Sequence, residues 1–62
     1  MEEYKLRGRR AELNIKQSDM AKDLGISPQY LNNIEKGKVE PRRDLMKKIS
    51  EILKKSAEEL FF

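Results

Sequence analysis

The sequence contains no cysteine and no histidine. The first absence excludes a disulfide framework, and together they remove the soft ligands that zinc and most transition metals use. Ser18, Ser27, Ser50 and Ser56 therefore have no histidine to activate them as nucleophiles. Gly8, Gly25 and Gly37 match neither a P-loop nor a dinucleotide fingerprint. The acidic residues are scattered, each near a basic one, as on solvated helix faces. Neither catalysis nor a cofactor is expected. No apolar run approaches the roughly 18 residues of a membrane span, and the opening MEEYKLRGRR lacks the hydrophobic stretch of a secretory signal. A soluble, cytoplasmic protein without a membrane partner is the expectation.

Repeats, linkers and low-complexity tracts are also missing. The 62 residues are expected to form one domain, 1–62, a size that buries only about 60% of the surface its unfolded chain exposes. That leaves no room for a ligand pocket or sensor domain, so no small-molecule ligand is expected.

What is present is helical periodicity from end to end, with no polar–apolar alternation flanked by hairpin signals. A first helix is predicted over about 3–13, placing Leu6, Arg10 and Leu13 on one face with Ile15 behind them. An arginine on that inward stripe needs a partner. A second helix over about 17–24 turns Met20, Ala21 and Leu24 inward and stops at Gly25, a residue suited to the left-handed position after a helix. Ser27 is a good N-cap and Pro28 a good first residue, so a third helix is predicted over about 28–36, with Leu31 and Ile34 inward and Gly37 as the next stop. Two helices joined by so tight a glycine-bearing turn make a helix-turn-helix. A fourth helix over about 42–54 carries the broad stripe Leu45, Met46, Ile49, Ile52 and Leu53. Ser56-Ala57-Glu58-Glu59 is a capping box that opens a fifth, ending in Leu60, Phe61 and Phe62.

The third helix raises a question. Once Leu31 and Ile34 are turned inward, the face left over carries Pro28, Gln29, Asn32 and Asn33. A carboxamide offers both a donor and an acceptor, which is what the major-groove edge of adenine takes up, and a helix fits that groove. Charge points the same way. The chain carries a net charge of +3, and the segment KGKVEPRRDLMKK, residues 36–48, holds six basic and two acidic residues directly after the amide-bearing helix. A basic segment there suits an anionic partner. Gln29 and Asn33, four residues apart on one face, are the candidate base readers. Asn32 has two readings: it packs at the junction with the second helix, or it touches a phosphate.

The run from Leu6 to Leu60 resembles the DNA-binding domain of phage repressors and Cro-like (XRE-type) regulators, a family of five short helices around a helix-turn-helix. The resemblance rests on Leu6-Arg7, Gln17, Met20-Ala21, Leu24-Gly25-Ile26-Ser27, Leu31, Ile34-Glu35-Lys36-Gly37, Pro41 and Leu60. It implies an all-α, compact five-helix fold and a sequence-specific regulator of double-stranded DNA, a repressor binding an inverted repeat as a homodimer. It further implies that Ser27, Pro28, Gln29 and Asn33 face bases or their adjoining phosphates, and that Lys36, Lys38 and Arg43 approach the DNA backbone or the neighbouring minor groove; Lys16 and, in one of its two readings, Asn32 are also expected at the backbone. Gln17 in particular is expected to grip a phosphate and support Gln29. Glu35 matches a glutamate that pairs with a buried arginine, and Arg10 stands at that arginine's position.

Three positions depart from the family pattern. Lys16 stands where a serine or threonine cap is common, Lys54 and Lys55 stand where a glycine and an apolar residue are common, and Pro28 has no side-chain hydrogen bond to offer a base. Leu60, Phe61 and Phe62 have two readings, as the cap of the core or as a dimer interface, with Phe62 the better candidate for the latter. Tyr30 either packs against the loop of the fourth helix or lies along a sugar-phosphate strand. A competing reading is a protein-interaction module, an antitoxin or adaptor built on the same scaffold.

Overall fold

A computed structural model describes residues 5–61. Five helices follow in order: α1 (Leu6–Glu12), α2 (Gln17–Leu24), α3 (Pro28–Glu35), α4 (Arg43–Leu53) and α5 (Ala57–Phe61). They fold into a body of 24 × 21 × 20 Å. Every helix contributes to one core: Leu6 from α1, Met20, Ala21 and Leu24 from α2, Leu31 and Ile34 from α3, Ile49 and Leu53 from α4, Leu60 and Phe61 from α5. Around it Leu13, Ile15, Ile26, Tyr30, Leu45, Met46 and Ile52 are partly buried. Thus the stripe read on the fourth helix divides, with Ile49 and Leu53 at its centre and Leu45, Met46 and Ile52 at its margins.

The turn between α2 and α3 is built as its residues dictate. Gly25 takes φ +72°, and the N–H groups of Gly25 and Ile26 return to the carbonyls of Lys22 and Ala21. A Cβ at Gly25 would meet nothing within 4 Å, so glycine is required by backbone conformation alone. Two residues later the Ser27 hydroxyl accepts from the Tyr30 N–H at 3.1 Å, and Pro28 occupies the first turn, where its missing N–H leaves no bond unmade. Gly37, at φ +76°, ends α3 in the same way as Gly25 ends α2.

Elsewhere the ends are less well made. The first helix begins at Leu6 with Lys5 before it; residues 3 and 4, where the periodicity would extend it, lie outside the described residues. Lys16 and Arg42 precede α2 and α4 without any side-chain capping bond. Lys54 holds the left-handed position after α4 at φ +56°, although it carries a Cβ. Arg9 compensates at that end by donating from Nε to the Leu53 carbonyl at 2.8 Å. At α5 the capping box closes, with the Glu59 N–H on Ser56 Oγ at 3.2 Å and Glu59 Oε1 accepting from Ser56 Oγ at 3.1 Å. The Lys5 N–H reaches the Leu60 carbonyl at 3.1 Å, so α5 also closes against the chain preceding α1.

Candidate nucleic-acid interface

The third helix has two sides. At about 100° per residue, Tyr30, Ile34, Leu31 and Glu35 occupy one arc, which holds all the buried residues of α3, Leu31, Ile34 and Glu35, with half-buried Tyr30 at its margin. Pro28, Asn32, Gln29 and Asn33 fall in the remaining arc of roughly 140°. Pro28 and Gln29 are exposed, and Asn32 and Asn33 half exposed. The three amides therefore sit side by side on the face that the core does not use.

One edge of that face meets α2 through a polar network. Glu35 is the one buried charged residue among the described residues, at 1% exposure. Its carboxylate accepts from Arg10 Nε at 2.7 Å and from Arg10 Nη2 at 3.3 Å, while Arg10 Nη1 donates to the Ile15 carbonyl at 2.9 Å. Gln17 Nε2 adds a third donor to Glu35, at 3.0 Å, and also lies 3.4 Å from Asn32 Oδ1. A buried carboxylate satisfied this fully is a rigid joint. It fastens α1, the first residue of α2 and the last residue of α3 at a single point, which fixes the angle at which the amide face is presented.

The opposite edge meets the start of α4. Tyr30 shares a shallow cleft with Arg42, Asp44, Leu45 and Lys48 and packs against the core as a half-buried residue. The cleft stays open to solvent beside the face of the amides.

Two helices joined by a three-residue link that opens on a left-handed glycine and closes on a serine cap are matched in known proteins. A helix-turn-helix family model matches residues 6–60. The chain belongs to the repressor-like helix-turn-helix family. An uncharacterized HTH-type transcriptional regulator of Methanocaldococcus jannaschii is 42% identical over 57 residues, covering 92% of this chain and 86% of that protein. As a member of this helix-turn-helix family, the chain is a DNA-binding transcription regulator.

The helix-turn-helix unit accounts for the other singled-out positions as follows. Lys16, exposed, precedes α2, and Gln17 is its first residue. Ser27 is exposed at the cap of α3, and Lys36 and Lys38, both exposed, flank the glycine that ends it. Arg43 opens α4 and borders a cleft with Met46, Lys47 and Ala57 on the side of α5. Arg42, which the sequence reading did not single out, is the arginine that shares a cleft with the third helix. Adjacent arginines cannot be told apart by composition, and only the packing of Tyr30 separates them. Leu60 and Phe61 lie in the chain's own core at 2% and 6% exposure; Phe62 lies outside the described residues. Among the described residues no helix is long and apolar enough to cross a membrane.

Proposed function

We propose that the chain is a repressor that binds an inverted-repeat operator as a homodimer, with α3 in the major groove of each half-site. The observation that carries this reading is the single arc of Pro28, Asn32, Gln29 and Asn33 left outside the core. A helix that needed only to fold has no use for three amides on its one free side. Gln29 and Asn33 read base edges, Ser27 and Pro28 lead the helix in, and an apolar contact from Pro28 suits a thymine methyl. Lys16, Asn32, Lys36, Lys38 and Arg43 lie along the sugar-phosphate backbone, with Gln17 behind Asn32. One such unit spans few base pairs, and two half-sites about one helical turn apart provide the rest. Repression follows where the operator overlaps a promoter.

Leu60 and Phe61 already serve the core, so the contact between the two copies falls to Phe62 and its surroundings. Deleting Phe62 and measuring mass by sedimentation tests that contact, and an unchanged dimer would reject it.

Selection of bound duplexes from a random library tests the whole reading, with recovery of an inverted repeat as the expected result. Gln29→Ala then costs about 1–3 kcal/mol at one base pair, whereas Lys38→Ala weakens all sequences alike. Salt separates this function from a protein-interaction module. With about five phosphate contacts per subunit, log K falls against log salt with a slope near −0.9 per contact; an apolar protein interface would scarcely respond.

A further inference from the structure

The hydrogen-bond directions around Glu35 determine which half of the Asn32 amide faces outward. A carboxylate has acceptors only. Glu35 accepts from Arg10 twice and from Gln17 Nε2 at 3.0 Å, so Gln17 must turn its NH₂ group, and not its carbonyl, toward that joint. The NH₂ group has two hydrogens, and its other neighbour is Asn32 Oδ1 at 3.4 Å. An acceptor is required there, which turns the Asn32 carbonyl inward. What remains on the outer side of Asn32 is Nδ2, a donor with no partner among the described residues. What remains on Gln17 is Oε1, an acceptor that a phosphate oxygen repels.

We propose that Gln17 is a positioning residue that holds the amide of half-buried Asn32 in one orientation, so that Asn32 offers DNA only hydrogen-bond donors. The group facing Asn32 is then an acceptor: O6 or N7 of a guanine, N7 of an adenine, O4 of a thymine, or a phosphate oxygen; guanine, with two adjacent acceptors, suits an NH₂ group best, and cytosine, which shows only a donor, suits it least. The paired donor-and-acceptor contact with adenine, open to the freely rotating amide of exposed Gln29, is closed to Asn32. The polarity originates at Arg10 and passes through Glu35 and Gln17. It differs from the role that the family resemblance implies for Gln17, because both N–H groups of this glutamine are committed inside the protein.

The inference rests on the proposed DNA reading by α3, and the test separates the two. Wild type, Asn32→Ala and Gln17→Met are each taken through duplex-library selection and thermal melting, and the recovered site is then remade with single neutral methylphosphonates. If Asn32 faces a base, wild type selects a base with a major-groove acceptor there, guanine foremost and cytosine excluded, and Asn32→Ala loses that preference about tenfold. If it faces a phosphate, Asn32→Ala weakens all sequences alike, and one methylphosphonate that weakens wild type no longer weakens the variant. In both cases Gln17→Met, assayed below the melting temperature measured for it, changes the same readout: cytosine is accepted beside the acceptor bases, or the methylphosphonate penalty shrinks. Selection of cytosine by wild type at the position facing Asn32, unchanged binding by Asn32→Ala, or a Gln17→Met pattern identical to wild type would each overturn the inference while leaving DNA reading intact. Failure of wild type to recover any sequence overturns both.

Discussion

The two halves of the molecule are held by different kinds of interaction. The joint of α2 and α3 is directional: Gly25 and Gly37 in left-handed conformations, a serine cap, and a buried carboxylate with three donors on it. The α4–α5 half relies on apolar packing around Ile49, Leu53, Leu60 and Phe61, and its junction is imperfect, with a lysine where glycine is favoured. Apolar packing sets how much surface is buried but tolerates small rotations, whereas hydrogen bonds to a fixed carboxylate do not. A helix that must deliver amides to base edges needs the second kind of restraint. Where the chain uses polar groups inside, it is fixing the orientation of α3.

The largest test of that contrast removes the joint. At roughly 0.05–0.15 kcal/mol per residue, a chain of this size has a total stability of only about 3–9 kcal/mol. Arg10→Ala leaves Glu35 buried and unpaired and costs about 3–5 kcal/mol, enough to unfold much of the population at 37 °C. Urea titration followed by circular dichroism measures it, and an unchanged midpoint would place Arg10 outside the joint. The double variant Arg10→Met, Glu35→Leu should recover most of the loss, because an apolar pair replaces an ion pair at little cost, yet it should still bind DNA less selectively. In the other half, Ile49→Ala costs about 2–5 kcal/mol through the cavity it leaves, and no second substitution at a distance restores it. A stable double variant with full selectivity would show that packing alone aims α3.

Much of this was legible in the residues. Helix order, both glycine stops, the Ser27 cap and the Ser56–Glu59 box follow from local rules, because each needs only neighbours within four residues. The Arg10–Glu35 pair, 25 positions apart, is not local; periodicity showed only that Arg10 pointed inward, and the family resemblance supplied its partner. The contacts of Gln17 were not legible. A glutamine opening a helix reads equally as a phosphate ligand or a tertiary donor, and only the placement of Glu35 and Asn32 shows that its N–H groups turn inward. Arg9 on the Leu53 carbonyl, 44 positions away, escaped for the same reason, since a basic residue on an outer face gives no sign of the carbonyl it will meet.

Two substitutions of about 1 kcal/mol refine the contrast, one in each half. Lys16→Ser supplies the side-chain cap that α2 lacks and should stabilise by about 1 kcal/mol. It should also weaken all DNA sequences alike by removing a charge. Greater stability with undiminished affinity would take Lys16 off the backbone contacts. Lys54→Gly relieves a left-handed residue that carries a Cβ and should add about 0.5–1 kcal/mol, part of it returned to the greater freedom of glycine in the unfolded chain. DNA affinity should not change. A rise in melting temperature of a few degrees is the check, and a fall would mean that contacts of the lysine side chain outweigh the strain.

The smallest expected effect lies at α5 and depends on pH. The Ser56 hydroxyl and N–H, followed by the nearby Lys55, hold the Glu59 carboxyl below its usual value of 4.5. A carboxyl whose value is lowered on folding contributes stability that is complete above its unfolded value and is lost as pH falls through the folded one. Acidification below about pH 4.5 should therefore fray α5 first, read as lower amide protection factors at Glu59 and Leu60 while amides of α2 and α3 stay protected. Glu59→Gln keeps a side chain that can complete the capping box but has no proton to gain, so the protection factors of its α5 should stay constant across the same range. If Glu59→Gln frays on acidification as wild type does, the acid sensitivity belongs to other carboxyls, and α5 is held by the burial of Leu60 and Phe61 alone.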